Sequence, residues 1–428
     1  MKPRLAIVGT GIAGLACAYF LDSRYDITLF EKNDYIGGHT NTVEVPGANG
    51  ERLPMDTGFM VFNKVTYPNL LRFFAELNVD YYPTEMSFSV QYRPIGLEWN
   101  GAGLNKIFGQ RKNLFNPRFW RMLNSLNRFN KEAVPALESG QFDSCTIEEY
   151  AQQQGYGEDF LTFFLIPMSA AIWSTAPERM RQFPIGALLR FFHNHGFLGL
   201  DTHHQWYTVT NGSRSYVRIL QKLLKGTFQT NRGVQQVIPL EAGGVELRFE
   251  QGEPMQFDRV ILASHADQTL AMLAQPTALQ QELLSPFRYE QNLATIHTDS
   301  TVMPKTKRCW GSWNYRIDPI TGSEGLNATT HYWMNNLQRL PGAMDHFVSL
   351  NAESLIDPAK ILYQIHYEHP GFNMPAMEAQ SRLAELNQER PDQSIYFCGS
   401  YFKYGFHEDA FTSSLNLCRT LTGEALWQ

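Results

Sequence analysis

The sequence predicts an α/β protein with a parallel sheet at its centre and a second unit of mixed antiparallel sheet and helices. Three observations carry this expectation. A short apolar run leads into three spaced glycines, a helical face and a second apolar run that ends in an acid. The last thirty-odd residues also read as a buried strand, a glycine turn, a loop and a helix. Between these ends, a chain of 428 residues has room for a second core.

The first element is the apolar run "RLAIVG", a buried strand by pattern. It opens into Gly9-x-Gly11-x-x-Gly14, with Ile12 and Ala13 starting the helical face "LACAYFL". Each glycine has a physical task. Gly9 permits a tight turn, Gly11 lets a pyrophosphate lie against the backbone, and Gly14 lets helix and strand approach. The helix start offers free N–H groups and a positive dipole end to phosphates. The strand "DITLFE" then places Glu31, followed by Lys32, where a carboxylate accepts hydrogen bonds from a ribose. An acid at this position disfavours a 2′-phosphate. Gly37-Gly38 and Asp56-x-Gly58 follow.

Next come a helical pattern at 67–77 and an alternating, strand-like stretch at 78–101. Residues 104–200 read as mainly helical, in pieces broken by Pro117, Pro135, Pro167, Pro177 and Pro184. An Asn211-Gly212 turn and a helix precede a β-meander and a strand with a helix behind it. No internal repeat is visible.

Composition narrows the function. The apolar share is 43% and the charged share 18%, so the chain is not disordered. Thirty-six basic residues against 42 acidic give a net charge of −6 without a Lys/Arg block. That disfavours a nucleic-acid surface and leaves polybasic membrane attraction unsupported. Five scattered cysteines, without C-x-x-C, argue for a reducing compartment and against a zinc site. His193-x-His195 lacks acid partners at ligand spacing, so no metal is expected. Lys2, Arg4 and Ala16-Cys17-Ala18 imitate a secretory signal, but glycines at 9, 11 and 14 interrupt its core. The run from Phe160 to Trp173 is too short to span a bilayer and contains Pro167. The expectation is a soluble, cytoplasmic protein.

The order acid, Gly37-Gly38, then "DTGFMVFN", with the C-terminal strand, glycine and helix, resembles the flavin amine oxidase and phytoene desaturase-like superfamily. The resemblance is clear over about residues 4–63 and 394–420; between them only the order of elements matches. "FFHNHG", "YWMN" and "YGFHED" further resemble a bacterial group of predicted FAD/NAD-binding oxidoreductases often encoded near cyclopropane fatty acid synthases. The resemblance implies a Rossmann-like FAD-binding domain from residues 1–75, 205–285 and 385–428. It implies a second, substrate domain of mixed antiparallel sheet and helices from 76–204 and 286–384. It places His39, standing where relatives carry arginine, and Thr40 beside the cofactor. Gly58 and Phe59 would approach the flavin ring, and Val237 the adenine. Gly399 and Ser400 would lie at the pyrophosphate, though Ser400 replaces the usual acid. Phe406, His407, Glu408 and Ala410 would open a helix pointing at the flavin.

The resemblance implies catalysis beside that loop, with His407, Phe406 and Tyr404 as the candidate residues. The strand-like stretch from Phe287 to Pro304 holds no lysine, which counts against simple amine oxidation. A phenyl ring at Phe406 suits an apolar chain. The leading expectation is an FAD-dependent oxidoreductase that passes hydride from an acyl-lipid substrate to flavin N5. A redox-neutral fatty-acid double-bond isomerase, an amine oxidase and a non-catalytic flavin-binding partner of a lipid-modifying enzyme are the alternatives. The partners expected are a small-molecule or lipid substrate, a lipid-modifying enzyme and a transient membrane surface, with no nucleic acid.

Overall fold

The computed structural model describes residues 2–199, 203–320, 325–388 and 393–427. Its first sheet has five strands in the order Thr227–Gln229, Asp26–Phe30, Arg4–Val8, Arg259–Leu262 and Ile395–Phe397. All four pairings are parallel. The apolar runs form inner strands because both faces of a parallel sheet are covered. Leu5, Ala6 and Ile7 are fully buried. The first and last strands flank the same neighbour, Arg259–Leu262, so the two ends of the chain meet. The helices that follow them also touch. Ser414 Oγ in His407–Thr422 donates to the Ala13 carbonyl in Ile12–Leu21 at 2.9 Å.

The meander appears as three antiparallel strands, Val234–Pro239, Val245–Phe249 and Met255–Phe257. A second large sheet has seven strands, in the order Ile361–Gly371, Arg288–His297, Phe347–Leu350, Leu326–Trp333, Trp313–Pro319, Phe88–Tyr92 and Leu97–Asn100. Only the pairing of Trp313–Pro319 with Phe88–Tyr92 is parallel. Alternation gives one face to Ala294, Ile296, Val348 and Leu350, which share an apolar cluster.

The opposite face buries a polar chain. The Asp299 N–H donates to His297 Nδ1 at 3.1 Å. His297 Nε2–H therefore donates to Ser349 Oγ at 2.7 Å. The serine hydroxyl donates to His331 Nδ1 at 2.7 Å, and His331 Nε2–H reaches Thr329 Oγ1 at 2.9 Å. Both rings are neutral, and burial pushes His297 down to about 4 and His331 well below its ordinary range. The unfolded chain binds protons on these rings more readily than the native one. Stability from this chain is complete above about pH 6.5 and is lost as pH falls toward 4. Asp56, Glu408 and Asp409, pushed up to about 6, 7 and 6, act in the opposite sense over an overlapping range. As pH falls from about 6.5 to 4, the melting temperature of the parent is expected to fall relative to that of His297→Gln. Equal slopes in the two proteins would remove the chain as the cause.

Residues 104–199 are largely helical, with two corrections. Pro117 and Pro177 sit in the first turns of Pro117–Ser139 and Pro177–Arg181, and Pro184 caps Ile185–Asn194. Pro135 was expected to break a helix, yet it lies inside Pro117–Ser139. Buried Phe119, Met122, Phe129 and Ala133 hold that helix on the core, and packing outweighs the lost hydrogen bond. The run from Phe160 to Trp173 is core, and Pro167, like Pro135, does not break it: a π-helical stretch, Leu161–Leu165, leads without interruption into Ile166–Trp173. Among the described residues no helix is long and apolar enough to cross a membrane.

Candidate functional site

The three early glycines divide by what surrounds them. Gly9 has φ +101°, and a Cβ there would lie 2.7 Å from the Ala263 carbonyl oxygen. A Cβ on Gly14 would lie 2.0 Å from the Gly9 carbonyl oxygen. These two serve the fold. A Cβ on Gly11 would meet nothing within 4 Å, so its smallness serves something outside the polypeptide. Gly11 also begins the helix Ile12–Leu21 with no side chain capping it, which leaves the N–H groups of Ile12 and Ala13 for a ligand.

A second loop presses onto this cradle. A Cβ on Gly38 would be 3.2 Å from Gly11 Cα, and one on Gly37 would be 2.6 Å from the Thr40 carbonyl oxygen. Gly58 is held as tightly: a Cβ there would lie 2.4 Å from the His39 carbonyl oxygen, to which Phe59 N–H donates at 2.8 Å. Glu31 ends its strand with one oxygen bonded to Thr10 Oγ1 at 2.6 Å and the other to the Asn33 N–H at 3.0 Å. Lys32 packs its stem beneath Gly233.

Val237 is placed differently from the expectation. It is fully buried, and its carbonyl accepts the Ala274 N–H at 3.0 Å. The stretch that comes alongside the acid is 231–234, where the Arg232 N–H donates to the Glu31 carbonyl at 2.8 Å. The strand shifts register between Val234 and Gln236, which separates the two positions. Gly233, a glycine beside the acidic strand end, is the sequence signal for this close approach.

The C-terminal loop closes the site. The Gly399 N–H donates to Ser413 Oγ at 2.9 Å, and the Ser400 carbonyl accepts the Gly405 N–H at 3.1 Å. Asp409 Oδ2 accepts the N–H groups of Tyr404 and Phe406 at 3.2 and 3.1 Å and so shapes the loop. Glu408 turns away. Its carboxylate takes the N–H groups of Asn69 and Leu70 at 3.0 and 2.9 Å, capping the helix Pro68–Glu76. Its part at the cofactor is therefore limited to its backbone in the first helical turn, beside Ala410. Glu408→Ala is expected to cost about 2 kcal/mol of stability with flavin affinity unchanged. Denaturant melts and a flavin titration check the two halves separately.

His407 is packed rather than poised. Its ring lies flat on Phe59, centroids 3.8 Å apart and 7° from parallel. Its Nε2 meets Tyr216 Oη at 2.7 Å and Thr40 Oγ1 at 3.3 Å. Burial pushes it down to about 3, so the ring is neutral. The ring, named above only as a candidate catalytic residue, ties the Thr40 loop to the terminal helix. Tyr216, on the buried face of Arg214–Leu223, carries no motif in the sequence, because only the tertiary fold brings it to Thr40, at 2.6 Å.

Phe406 and Tyr404 face an aromatic wall. Phe406 stacks on Phe191 at 5.1 Å and approaches Trp173 at 6.3 Å. Trp173 Nε1 donates to the Tyr404 carbonyl at 3.3 Å. His195, stacked on Phe191 at 3.9 Å and pushed down to about 4 by burial, adds a neutral ring.

His39 stacks on Tyr367 at 4.7 Å, with His369 at 5.4 Å and His265 at 6.4 Å. His265 pairs with Glu368 at 3.1 Å. His39 Nε2 and His369 Nδ1 are buried without partners. Together with the open cradle at Gly11, such unpaired polar atoms fit a phosphate-bearing cofactor. FAD matches the donor set, with Gly11, Ile12 and Ala13 for its diphosphate and Glu31 for its ribose. Among the described residues no three His, Cys, Asp or Glu side chains are grouped to hold a metal ion.

Fold and site define a flavin-dependent oxidoreductase. Residues 12–302 match the model of the flavin containing amine oxidoreductase family, and the chain belongs to that family. FAD is its cofactor, and it is an enzyme. It is similar to a 15-cis-phytoene desaturase from Synechococcus elongatus, 35% identical over 78 residues, 18% of this chain and 15% of that one. It is also similar to a 1-hydroxycarotenoid 3,4-desaturase from a Flavobacterium, 30% identical over 121 residues, 25% of this chain and 23% of that one. Both matches thus span under a quarter of those relatives. Among solved structures, putrescine oxidase bound to putrescine aligns with TM-score 0.69 and 13% identity over 99% of this chain and 100% of that one. A CLA-producing fatty acid isomerase from P. acnes aligns with TM-score 0.65 and 14% identity over 97% of both. Cyclohexylamine oxidase from Brevibacterium oxydans aligns with TM-score 0.67 and 14% identity over 99% and 100%.

Proposed function

We propose that this enzyme acts on the acyl chain of a lipid. The observation that carries the reading is the aromatic cluster at the flavin loop, where partly exposed Phe406 and Tyr404 rest on buried Phe191 and Trp173. Such a surface binds methylene groups by excluding water and has no charge with which to hold an amine. The strand Arg288–His297 contributes no lysine. The names of the two desaturase relatives, one for phytoene and one for a hydroxycarotenoid, agree with an apolar substrate.

Each group of this chain then has a task. The Gly11 cradle and Glu31 hold the nucleotide half of FAD. Asp409 fixes the 404–406 loop, and the aromatic wall orients the substrate and keeps water out. Bound FAD supplies hydride acceptance. Phe406→Ala is expected to raise KM for a lipid about ten-fold with little change in flavin affinity.

Anaerobic addition of an unsaturated phospholipid tests the reading. Loss of the visible absorbance of the oxidised flavin supports it. Bleaching by amines but by no lipid overturns it. The fold shared with a fatty acid isomerase brings in a second reading, double-bond migration, for which product forms without net bleaching.

A further inference from the structure

We infer that residues 104–121 and the adjoining turn at 307–308 form a docking surface for an anionic lipid bilayer. The large exposed apolar side chains of the molecule concentrate here. Phe115 is 88% exposed, Leu104 77%, Trp120 49% and Leu114 43%. They belong to one surface. Trp120 Nε1 donates to the Leu114 carbonyl at 2.9 Å, and its ring lies 5.3 Å from Phe108. Arg111 joins the Leu104 end by bonding the Phe108 carbonyl at 2.8 Å and Asn105 Oδ1 at 2.6 Å. Phe119 beneath is fully buried in the core, so the tips stand on a rigid base.

Charge surrounds these tips. The segment from Leu104 to Arg121 carries Lys106, Arg111, Lys112, Arg118 and Arg121 and no acid. The fold adds Arg308, whose stem packs against Gly109, and Lys307 beside it. Glu85 pairs with Lys106 at 3.0 Å, and Asp159 is shared by Arg118 and Arg121 at 2.7 and 3.0 Å. Glu98 is buried, accepting the N–H groups of Lys305 and Thr306. Among the described residues, Arg111, Lys112, Lys307 and Arg308 have no carboxylate partner. The patch is therefore cationic on a chain whose net charge is −6.

Aromatic and aliphatic tips ringed by Arg and Lys match a bilayer interface, where tips enter the acyl boundary and cations meet anionic headgroups. A second copy seated two-fold on this patch would oppose like charges. The surface was not visible as a basic block, because the cations alternate with apolar residues and two come from a distant turn.

Sedimentation with vesicles tests the inference. One set is phosphatidylcholine, and the other contains added phosphatidylglycerol. The full chain is expected to pellet with the second set and to be released by salt. Leu104→Ser/Phe115→Ser and Arg111→Glu/Lys112→Glu are each expected to lower binding about ten-fold. Unchanged thermal melts would show that both variants fold. Variants that pellet like the parent overturn the inference, as does equal binding to both vesicle types. A dimer in sedimentation velocity that Leu104→Ser/Phe115→Ser abolishes assigns the patch to self-association instead and also overturns it. The docking surface does not depend on the acyl-chain reading: sedimentation reports on the patch and flavin bleaching on the substrate.

Discussion

Gly11→Val is expected to give a folded protein without flavin, whereas Gly14→Val is expected to give no folded protein. The two glycines lie three residues apart in one motif, but their surroundings differ. A Cβ at position 11 enters open space within 4 Å. Its methyl groups occupy the room where a diphosphate meets the helix start, so affinity is expected to fall by two orders of magnitude or more, about 3 kcal/mol. Stability is expected to change by less than about 1 kcal/mol, because Gly11 is an extended cap with φ −64°, a backbone valine adopts, and its Cβ meets no neighbour. At position 14 a Cβ would lie 2.0 Å from the Gly9 carbonyl oxygen. That contact is with backbone, and the backbone of Gly9 is itself pinned against Ala263. Strand and helix must separate, at a cost of more than about 4 kcal/mol. Circular dichroism with a flavin fluorescence titration distinguishes the outcomes. A yellow Gly11→Val protein would dismiss the cradle.

Asp56→Ala is expected to be the most damaging substitution outside the glycine motif. The carboxylate is fully buried and accepts from Thr42 Oγ1 at 2.6 Å, Ser213 N–H at 2.9 Å, Ser213 Oγ at 2.7 Å and Gln338 Nε2 at 2.7 Å. It joins the strand Thr42–Pro46, the start of the helix Arg214–Leu223 and Gln338 after Met334–Leu337. Alanine leaves these buried donors unpaired, at about 3–5 kcal/mol in total, a large part of the stability of a typical domain. Burial pushes the Asp56 carboxyl up to about 6, so its charge is a burden to the native state above that pH. Asp56→Asn removes the charge and keeps one acceptor, and is expected to cost about 1–2 kcal/mol near neutral pH. Urea midpoints for the three proteins check the order. Equal midpoints for the alanine and asparagine variants would refute the hub.

The nucleotide cradle was legible before the fold because its logic is local. Gly9, Gly11 and Gly14 act within one strand–turn–helix unit, and Glu31 ends the next strand, so spacing alone fixes their relation. The same holds for Gly399 and the helix start at His407. The assignments that changed depend on what lies across the molecule. Val237 is buried with its carbonyl taken by the Ala274 N–H, a contact that a pattern of apolar residues does not reveal. Glu408 fits a first helical turn by sequence, yet its carboxylate reaches a helix more than three hundred residues earlier. Pro135 stays helical because core packing holds the segment.

By itself, the sequence determined that this is an α/β flavoprotein with a Gly-rich diphosphate cradle and an acid for the ribose, since backbone sterics and hydrogen bonding within adjacent elements require those residues. Only the tertiary structure decided that His407 is a neutral ring stacked on Phe59, that Asp56 is a buried hub, and that scattered cations and aromatics share one outer surface. Burial, pairing and exposure belong to contacts between distant segments, and the order of residues along the chain does not contain them until the chain has closed on itself.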